Sequence, residues 1–311
     1  MPWVEPARTF LGATADWEKS RVVLVGAPLD VTSSFRPGTR FAPQRIREVS
    51  VGLEEYSLLF DRSLRQAALF DAGDLLLAPG AVGPSLDRVE ECVAWLAAQG
   101  KKVALLGGEH LLTYAAVRGL AAAYEGLIVL HWDAHADRRQ EYLGQELSHA
   151  TVMHLVARLG IPLYQMGIRS LAPEELAAVR PLLRRPALPP ANRDDNPVPG
   201  GQAGSEDVSG GLYLEDLLAG LWAVLPALRS RPVYLSCDID VLDPAYAPGT
   251  GTPEPGGVTP GEIFRAVGHL PGVNLVGFDL VEVNPLVDVG DCTSLLAAKI
   301  TRELILACSL T

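Results

Sequence analysis

Side chains that could bind a metal recur at every second position between His131 and Asp137. They are His131, Asp133, His135 and Asp137, and they directly follow an apolar run, 127–130. In an extended chain alternate side chains point to the same face, so this spacing directs two imidazoles and two carboxylates to one place. Clustered carboxylates do not all stay ionised without a nearby cation. The stretch therefore predicts a metal site at the end of a buried strand.

Three further apolar runs end in the same kinds of side chain. One is followed by Glu109 and His110, another by Asp238 and Asp240, and the last by Glu282. In open α/β sheets, ligands bind beyond the carboxyl ends of the strands. Four strand ends that each deliver His, Asp or Glu therefore predict one shared site.

The candidate donors are rich in oxygen and contain no thiolate. They are His110, Asp133, His135, Asp137, Asp238 and Asp240. Such a set suits manganese or a similar hard divalent ion better than structural zinc. Six protein ligands are too many for one catalytic ion with open positions, but they suffice for two ions if two carboxylates bridge. Two-metal sites activate a water between ions about 3.5–4 Å apart, so the residues predict a binuclear metallohydrolase.

Composition excludes several classes of protein. The 311 residues carry a formal net charge of −11 and show no stripe of Lys or Arg, so we expect no nucleic-acid partner. No apolar stretch reaches the 18 or so residues that span a membrane, and the N-terminus has no secretory pattern. The four cysteines lack CxxC spacing and are interpreted as buried thiols. These features predict a cytoplasmic protein.

Apolar strand-like runs alternate with amphipathic helix-like runs along the chain. Strands are predicted at 21–28, 102–107, 127–133, 163–168, 232–238 and 274–281. Helices are predicted at 43–53, 85–99, 111–124, 150–159, 214–228, 259–270 and 291–310, with Ser85 and Asp291 as possible caps. This alternation predicts an α/β fold, a three-layer α/β/α arrangement with a central, mostly parallel sheet.

One segment, 186–211, departs from this alternation because it is rich in Pro, Gly and Asp and has no apolar period. It is interpreted as a flexible surface loop inserted into the fold. No internal repeat and no second domain is evident, so residues 1–311 are predicted to form a single domain.

Taken together, the motifs resemble the ureohydrolase family of arginases and agmatinases, and within it most of all the bacterial agmatinases. The resemblance extends over nearly all of the chain. It rests on Gly107-Gly108-Glu109-His110, Asp133-Ala134-His135-Ala136-Asp137, Ser236-Cys237-Asp238-Ile239-Asp240, Glu282-Val283-Asn284-Pro285 and the stretches 37–41 and 249–257. It implies an arginase-like fold and a homo-oligomer, either a hexamer or a trimer.

The resemblance also implies a role for each donor and two Mn(II) ions per chain. One ion would be held by His110, Asp133, Asp137 and Asp238. The other would be held by Asp133, His135, Asp238 and Asp240, with Asp133 and Asp238 bridging. His131 matches no ligand position, so a supporting or core role is predicted for it.

The catalytic residues that the resemblance implies are Asp240, Glu282 and His149. Glu282 would bind the guanidinium nitrogens of the substrate, because a carboxylate matches that planar fork of donors. His149 matches a mobile histidine that relays a proton to the leaving amine. Glu109 stands where the family more often has Asp.

The implied reaction is hydrolysis of a small cationic guanidino compound, agmatine, to putrescine and urea. Arginases place Asp directly after the Arg that corresponds to Arg169, whereas this chain has Ser170. Glu254 is predicted to bind substrate, and Glu141 and Glu146 are further candidates for the far ammonium group.

Three alternatives remain open from the sequence. A sister amidinohydrolase would act on guanidinobutyrate, arginine or another guanidino compound. A mononuclear zinc deacetylase would share a related fold but bind one metal. A catalytically inactive binding protein would release no urea.

Overall fold

The computed structural model describes residues 3–184, 210–214 and 216–310. The described strands, numbered along the chain, are β1 (Val4–Glu5), β2 (Val22–Ala27), β3 (Tyr56–Ser57), β4 (Arg62–Ser63), β5 (Leu69–Leu75), β6 (Lys102–Gly107), β7 (Ile128–Trp132), β8 (Leu163–Ile168), β9 (Leu183–Arg184), β10 (Gly210–Leu214), β11 (Val233–Asp238) and β12 (Leu275–Val281).

Ten of these strands form one sheet, in the order β1-β5-β2-β6-β12-β11-β7-β8-β10-β9. Every neighbouring pair is parallel except β1 and β5, which are antiparallel. Strands β3 and β4 form a separate antiparallel pair. The sheet is therefore mostly parallel, as the sequence predicts.

Helices connect the strands and cover the sheet. The α-helices are α1 (Ala42–Ser50), α2 (Val82–Ala98), α3 (Leu112–Ala121), α4 (Val152–Arg158), α5 (Leu176–Val179), α6 (Leu217–Arg229), α7 (Pro260–Gly268) and α8 (Cys292–Ser309). Crossover helices are the usual way to join parallel strands.

The hydrophobic core has two large parts, one on each face of the sheet. Leu24 and Leu130 pack in a cluster with apolar residues of α1, α6, α7 and α8. Val25 follows Leu24 in the chain, and Val129 precedes Leu130. Both valines pack in the other cluster, which contains apolar residues of α2, α3 and α4. Because alternate strand residues face opposite sides, this division gives the three-layer α/β/α arrangement and confirms the predicted fold class.

Four strands of this sheet, β1, β5, β9 and β10, were not predicted from the apolar pattern. Strand β5 contains Asp71 and Asp74, whose carboxylates pair with the fully buried Arg47 of α1 at 2.9 and 2.5 Å. These charges interrupt the apolar run but are satisfied by the ion pair, so the strand stays in the sheet. Strand β10 ends at Leu214. This residue was predicted to begin a helix, but the helix starts at Leu217.

Two predicted helix caps are also wrong. Ser85 lies within α2, and its hydroxyl donates to the carbonyl of Ala78 at 3.1 Å. Asp291 precedes α8 but its carboxylate binds Arg45. The first turn of α8 is instead capped by Asp288, which accepts the backbone N–H groups of residues 293 and 294 at 3.0 and 2.8 Å.

The predicted loop at 186–211 lies outside the described residues except at its end, where Gly210 and Gly211 belong to β10. Among the described helices, none combines the length and apolar character needed to cross a membrane. Three of the four cysteines are buried, but Cys292 is exposed, which corrects the prediction for that residue.

Candidate metal centre and substrate cavity

Four adjacent strands in the middle of the sheet bring the predicted donors together. The order β6-β12-β11-β7 places the carboxyl ends of these strands side by side. His110 follows β6, Glu282 follows β12, Asp238 ends β11, and Asp133 follows β7. The grouping that the sequence predicts from equivalent strand ends is thus produced by the sheet topology.

His110 faces three carboxylates. Its Nδ1 atom lies 3.1 Å from Asp133 Oδ2, 3.3 Å from Asp137 Oδ2 and 3.2 Å from Asp238 Oδ2. The same Nδ1 is buried and forms no hydrogen bond with any of the described residues. Three carboxylate oxygens therefore lie within 3.3 Å of one imidazole nitrogen.

His135 forms a second group next to the first. Its Nδ1 lies 2.9 Å from Asp240 Oδ2 and 3.5 Å from Asp133 Oδ1. Asp133 thus presents one oxygen to each histidine. Asp238 directs Oδ2 at His110, while its Oδ1 accepts the backbone N–H of Asp240 at 2.8 Å. The six predicted donors lie together, with Asp133 between the two groups.

The electrostatics of the cluster favour added positive charge. Burial lowers the pKa of His110, but the carboxylates of Asp133, Asp137 and Asp238 raise it well above its ordinary value. Burial and the charge of Asp133 raise the pKa of Asp137 to about 6. Burial, followed by repulsion from Asp240 and Asp133, raises the pKa of Asp238 well above its usual range. Protons are retained because the buried carboxylates repel one another, and hard divalent cations would relieve the same repulsion.

A buried hydrogen-bond chain fixes the tautomer of His110. Asp279 accepts three hydroxyl protons, from Thr113, Tyr234 and Ser236 at 2.7–2.8 Å. Since Ser236 has given its only proton to Asp279, its oxygen accepts from His110 Nε2 at 2.9 Å. With Nε2–H held by Ser236, Nδ1 is the nitrogen that faces the carboxylates and would exchange its proton for a cation, an arrangement typical of metal-binding histidines.

A second chain of hydrogen bonds engages both ring nitrogens of His131, which lies near His110 and Asp133. Gln165 Oε1 accepts from Arg138 Nε at 2.6 Å, so its amide nitrogen donates to His131 Nδ1 at 3.1 Å. His131 Nε2 consequently carries a hydrogen, which it donates to Asp133 Oδ2 at 2.9 Å. Burial lowers the pKa of His131 to about 4, so the ring is neutral. His131 orients Asp133, in agreement with the supporting role predicted for it.

The cluster lies at the base of a cavity of about 260 Å³. Of the predicted site residues, the following line it: His110, His135, Asp137, His149, Asp238, Asp240 and Glu282. Asp133 is completely buried beneath it. Ser34, Arg139, Tyr142 and Ser170 also contribute to the wall.

Three glutamates predicted to meet the substrate tail are not among the described residues that line this cavity: Glu141, Glu146 and Glu254. It is the backbone carbonyl of Glu254 that has a role here, since it accepts Arg169 Nη2 at 2.7 Å. Besides Glu282, Glu175 lines the cavity, and its carboxylate accepts the backbone N–H groups of Arg138 and Ala172, both at 2.7 Å.

Glu282 is held rigidly at the cavity wall. Its backbone has a positive φ of 64°, and its N–H donates to Gly108 at 2.9 Å. Its Oε1 accepts the backbone N–H of His110 at 2.7 Å. Burial raises the pKa of Glu282 to about 8, so a cationic partner would stabilise its ionised form.

His149 lines the same cavity from a 3₁₀ turn, His149–Thr151, and is contacted by Thr32 and Tyr142. Its Nδ1 is 3.3 Å from the hydroxyl oxygen of Thr32, which also accepts the His149 backbone N–H at 3.0 Å. The rings of Tyr142 and His149 meet edge to face at 5.7 Å between centroids. Burial lowers the pKa of His149 to about 4, so the imidazole is neutral.

Sequence reasoning did not single out Thr32, Gln165 or Asp279. Each lies outside the motifs but contacts a motif residue or its partner. Asp279 and Gln165 are polar positions inside apolar strands, which is the one sequence signal that could have identified them.

A family model described as the arginase family matches residues 20–183 and 216–307. The chain belongs to the arginase family. An agmatinase of Bacillus anthracis is 42% identical over 303 residues, which cover 96% of both chains. A proclavaminate amidinohydrolase of Streptomyces clavuligerus is 34% identical and aligns with 91% of this chain and 87% of its own length.

The crystal structure of a putative agmatinase from Clostridium difficile has a TM-score of 0.82 and 31% identity to this protein. The match covers 94% of this chain and 99% of the other. Membership of the arginase family and this likeness confirm the resemblance inferred from the motifs and the arginase-like fold. The protein is accordingly a ureohydrolase enzyme of this family.

Proposed function

We propose that the protein hydrolyses agmatine to putrescine and urea, with two Mn(II) ions per chain. The observation that carries this proposal is the convergence of six oxygen and nitrogen donors below a cavity whose wall contains Glu282. The 42% identity to an agmatinase over almost the whole chain supports the choice of substrate.

The donors fit two cations rather than one. His110, Asp133, Asp137 and Asp238 would hold one, and Asp133, His135, Asp238 and Asp240 the other. The two oxygens of Asp133, each directed at a different histidine, support a bridging role. A pair of such cations, when bound, lowers the pKa of water towards neutrality and so supplies a nucleophile for hydrolysis.

Glu282 would bind and orient the guanidinium group. One of its oxygens is fixed by the backbone of His110, so the carboxylate cannot turn away from the cavity. A guanidinium cation opposite this buried carboxylate replaces the proton that the site otherwise retains. The planar guanidinium is thereby held with its carbon above the donor cluster.

His149 would move the proton that the leaving amine requires. A neutral imidazole has one nitrogen that donates and one that accepts, so it can take up a proton at one position and release another. His149 lines the cavity together with Glu282. Its burial keeps it neutral before the reaction begins.

A specific observation favours a second candidate, a guanidino-acid hydrolase. The cavity wall contains Arg139, which lies 4.7 Å from the Tyr142 ring centroid and 3.2 Å from Glu174. A guanidinium at this position suits the carboxylate tail of a guanidino acid better than an ammonium tail. Ser170, where arginases place Asp, disfavours arginine itself.

Urea release from agmatine, 4-guanidinobutyrate and arginine would distinguish these candidates. The proposal expects agmatine to have the highest kcat/KM. Preference for guanidinobutyrate, lost in the variant Arg139→Gln, would establish the guanidino-acid reaction instead. No urea from any of the three in the manganese-loaded protein would refute both.

A further inference from the structure

Glu109 lies between Gly108 and the candidate ligand His110, yet its carboxylate is directed away from the metal cluster. It is completely buried and binds the loop that follows β2. Its Oε2 accepts the backbone N–H groups of Val31, Thr32 and Ser33 at 2.9, 2.7 and 3.1 Å. Its Oε1 accepts the hydroxyl proton of Thr32 at 3.0 Å. Every donor at this carboxylate thus comes from one loop.

The two segments are also joined through their backbones. Glu109 donates its N–H to the carbonyl of Leu29 at 2.7 Å. A side chain at Gly108 would place its Cβ 1.9 Å from the same carbonyl oxygen, so only glycine permits this approach. The end of β6 therefore fixes the position of the loop that carries Thr32.

Thr32 transmits this arrangement to His149. A threonine hydroxyl has one proton to donate and two lone pairs. The proton goes to Glu109. The lone pairs face the backbone N–H of His149 at 3.0 Å and its Nδ1 at 3.3 Å. A bare Nδ1 would meet an oxygen lone pair there, so the arrangement favours a hydrogen on Nδ1.

We infer that Glu109 is a positioning residue that, through Thr32, fixes the place and tautomer of His149. The hydrogen is held on Nδ1, and the lone pair is left on Nε2 for the proton transfer at the cavity. The inference rests on the role proposed above for His149. It assigns a function to the residue at which this chain departs from the more common family motif.

Among the described residues, Ser148 provides a competing contact. Its hydroxyl oxygen lies 3.4 Å from His149 Nδ1 and accepts the backbone N–H of Ala150, also at 3.4 Å. As an acceptor it favours the same tautomer as Thr32. As a donor to Nδ1 it would favour the opposite one, and direct observation of the ring protons separates these arrangements.

The variant Glu109→Gln tests the inference because it keeps the size of the side chain but changes its donors. Three backbone N–H groups hold the Oε2 position, so the amide carbonyl must occupy it and the NH₂ group must face Thr32. That NH₂ donates to the Thr32 oxygen and releases the threonine proton to His149 Nδ1. The expected tautomer of His149 therefore changes from Nδ1–H to Nε2–H.

Ring ¹⁵N NMR shifts of histidine report this change directly. We would record them for wild type and Glu109→Gln with zinc, which is diamagnetic, as the probe metal, and assign His149 by its loss in His149→Gln. Kinetics with manganese should show kcat reduced at least tenfold, but by no more than the roughly 10²–10⁴-fold that proton transfer contributes in full. KM and metal content should be unchanged.

Two further variants separate positioning from general stability. Glu109→Asp keeps the charge and acceptor-only character, so it should retain the Nδ1–H tautomer and a higher kcat than Glu109→Gln. Asp288→Asn alters another buried carboxylate that caps backbone N–H groups, at the start of α8, and should reduce stability without changing kcat.

Wild-type protein with His149 in the Nε2–H form, or Glu109→Gln with the wild-type tautomer, would overturn the inference. So would a kcat for Glu109→Gln above that of Glu109→Asp. The NMR result does not depend on turnover. A failure of agmatine hydrolysis in wild-type protein would therefore refute the proposed function and leave the measurement of the tautomer intact.

Discussion

Replacement of Ser236 by alanine should weaken metal binding although Ser236 is not a ligand. Its hydroxyl connects His110 Nε2, at 2.9 Å, to Asp279 Oδ1, at 2.8 Å. In Ser236→Ala the His110 ring loses the acceptor that keeps its hydrogen on Nε2. The other tautomer, with a hydrogen on Nδ1, is then available and cannot bind a cation through that atom.

The expected magnitudes follow from the groups left without partners. His110 Nε2–H and Asp279 Oδ1 each lose a hydrogen bond in a fully buried setting, which costs about 1–3 kcal/mol per group. The free energy of unfolding of the metal-free protein should thus fall by about 2–6 kcal/mol. Loss of a hydrogen bond behind a metal ligand typically reduces affinity about 10–100-fold, which is about 1.4–2.8 kcal/mol.

Two measurements test this expectation, urea denaturation of the metal-free protein and competition for manganese against a chelator. Ser294→Ala is the matched control, since its hydroxyl donates to the buried Asp288 at 2.7 Å, at the start of α8 rather than at the candidate metal site. It should reduce stability and leave metal affinity unchanged. Equal metal affinity in Ser236→Ala and wild type would refute the role assigned to this chain of hydrogen bonds.

Three other variants and reactions can be predicted from the same contacts. Glu282→Gln should lower kcat/KM for the guanidino substrate by about 30- to 5,000-fold at unchanged metal content, because loss of one partner of a buried charge pair costs about 2–5 kcal/mol. Equal steady-state kinetics would contradict its role. Arg169→Lys should lower the free energy of unfolding, measured in urea, by about 3 kcal/mol, because a compact ammonium cannot replace the bonds of the guanidinium. The guanidinium donates to the backbone carbonyls of Asp240, Val241, Leu242 and Glu254. Unchanged stability would show that these bonds contribute nothing. Native protein at pH 8 should show one rapidly alkylated thiol, that of the exposed Cys292. Burial raises the pKa of Cys92 and of Cys308 to about 12 and that of Cys237 well above its usual value, so these thiols should react slowly. Rapid alkylation of all four cysteines before unfolding would contradict their buried environment.

Much of the sheet was predictable because its strands are apolar on both faces. Strands β6 and β8 have the bounds that the sequence predicts. Strands β11 and β12 begin one residue later than predicted, and β7 is one residue shorter at each end. Strand β5 was not predictable in this way, since its acidic residues are compensated by Arg47, which lies more than twenty residues away in the chain.

The candidate ligands were predictable for a similar reason. Parallel strands end at one edge of a sheet, so residues at equivalent strand ends meet without further information. The residues that orient them were not predictable, because the contacts join distant parts of the chain. Gln165 reaches His131, and Thr32 reaches Glu109, 77 positions away. Glu254 was chosen by charge, whereas the atom that matters there is its backbone carbonyl.

The central claim, a binuclear metal site formed by six side chains, is tested most directly by metal content against activity. Metal-free protein would be titrated with Mn(II), and bound manganese and urea release from agmatine measured in the same samples. The structure predicts two equivalents per chain at full activity, with little activity before the second is bound. Full activity with one equivalent, or with none, would contradict the claim.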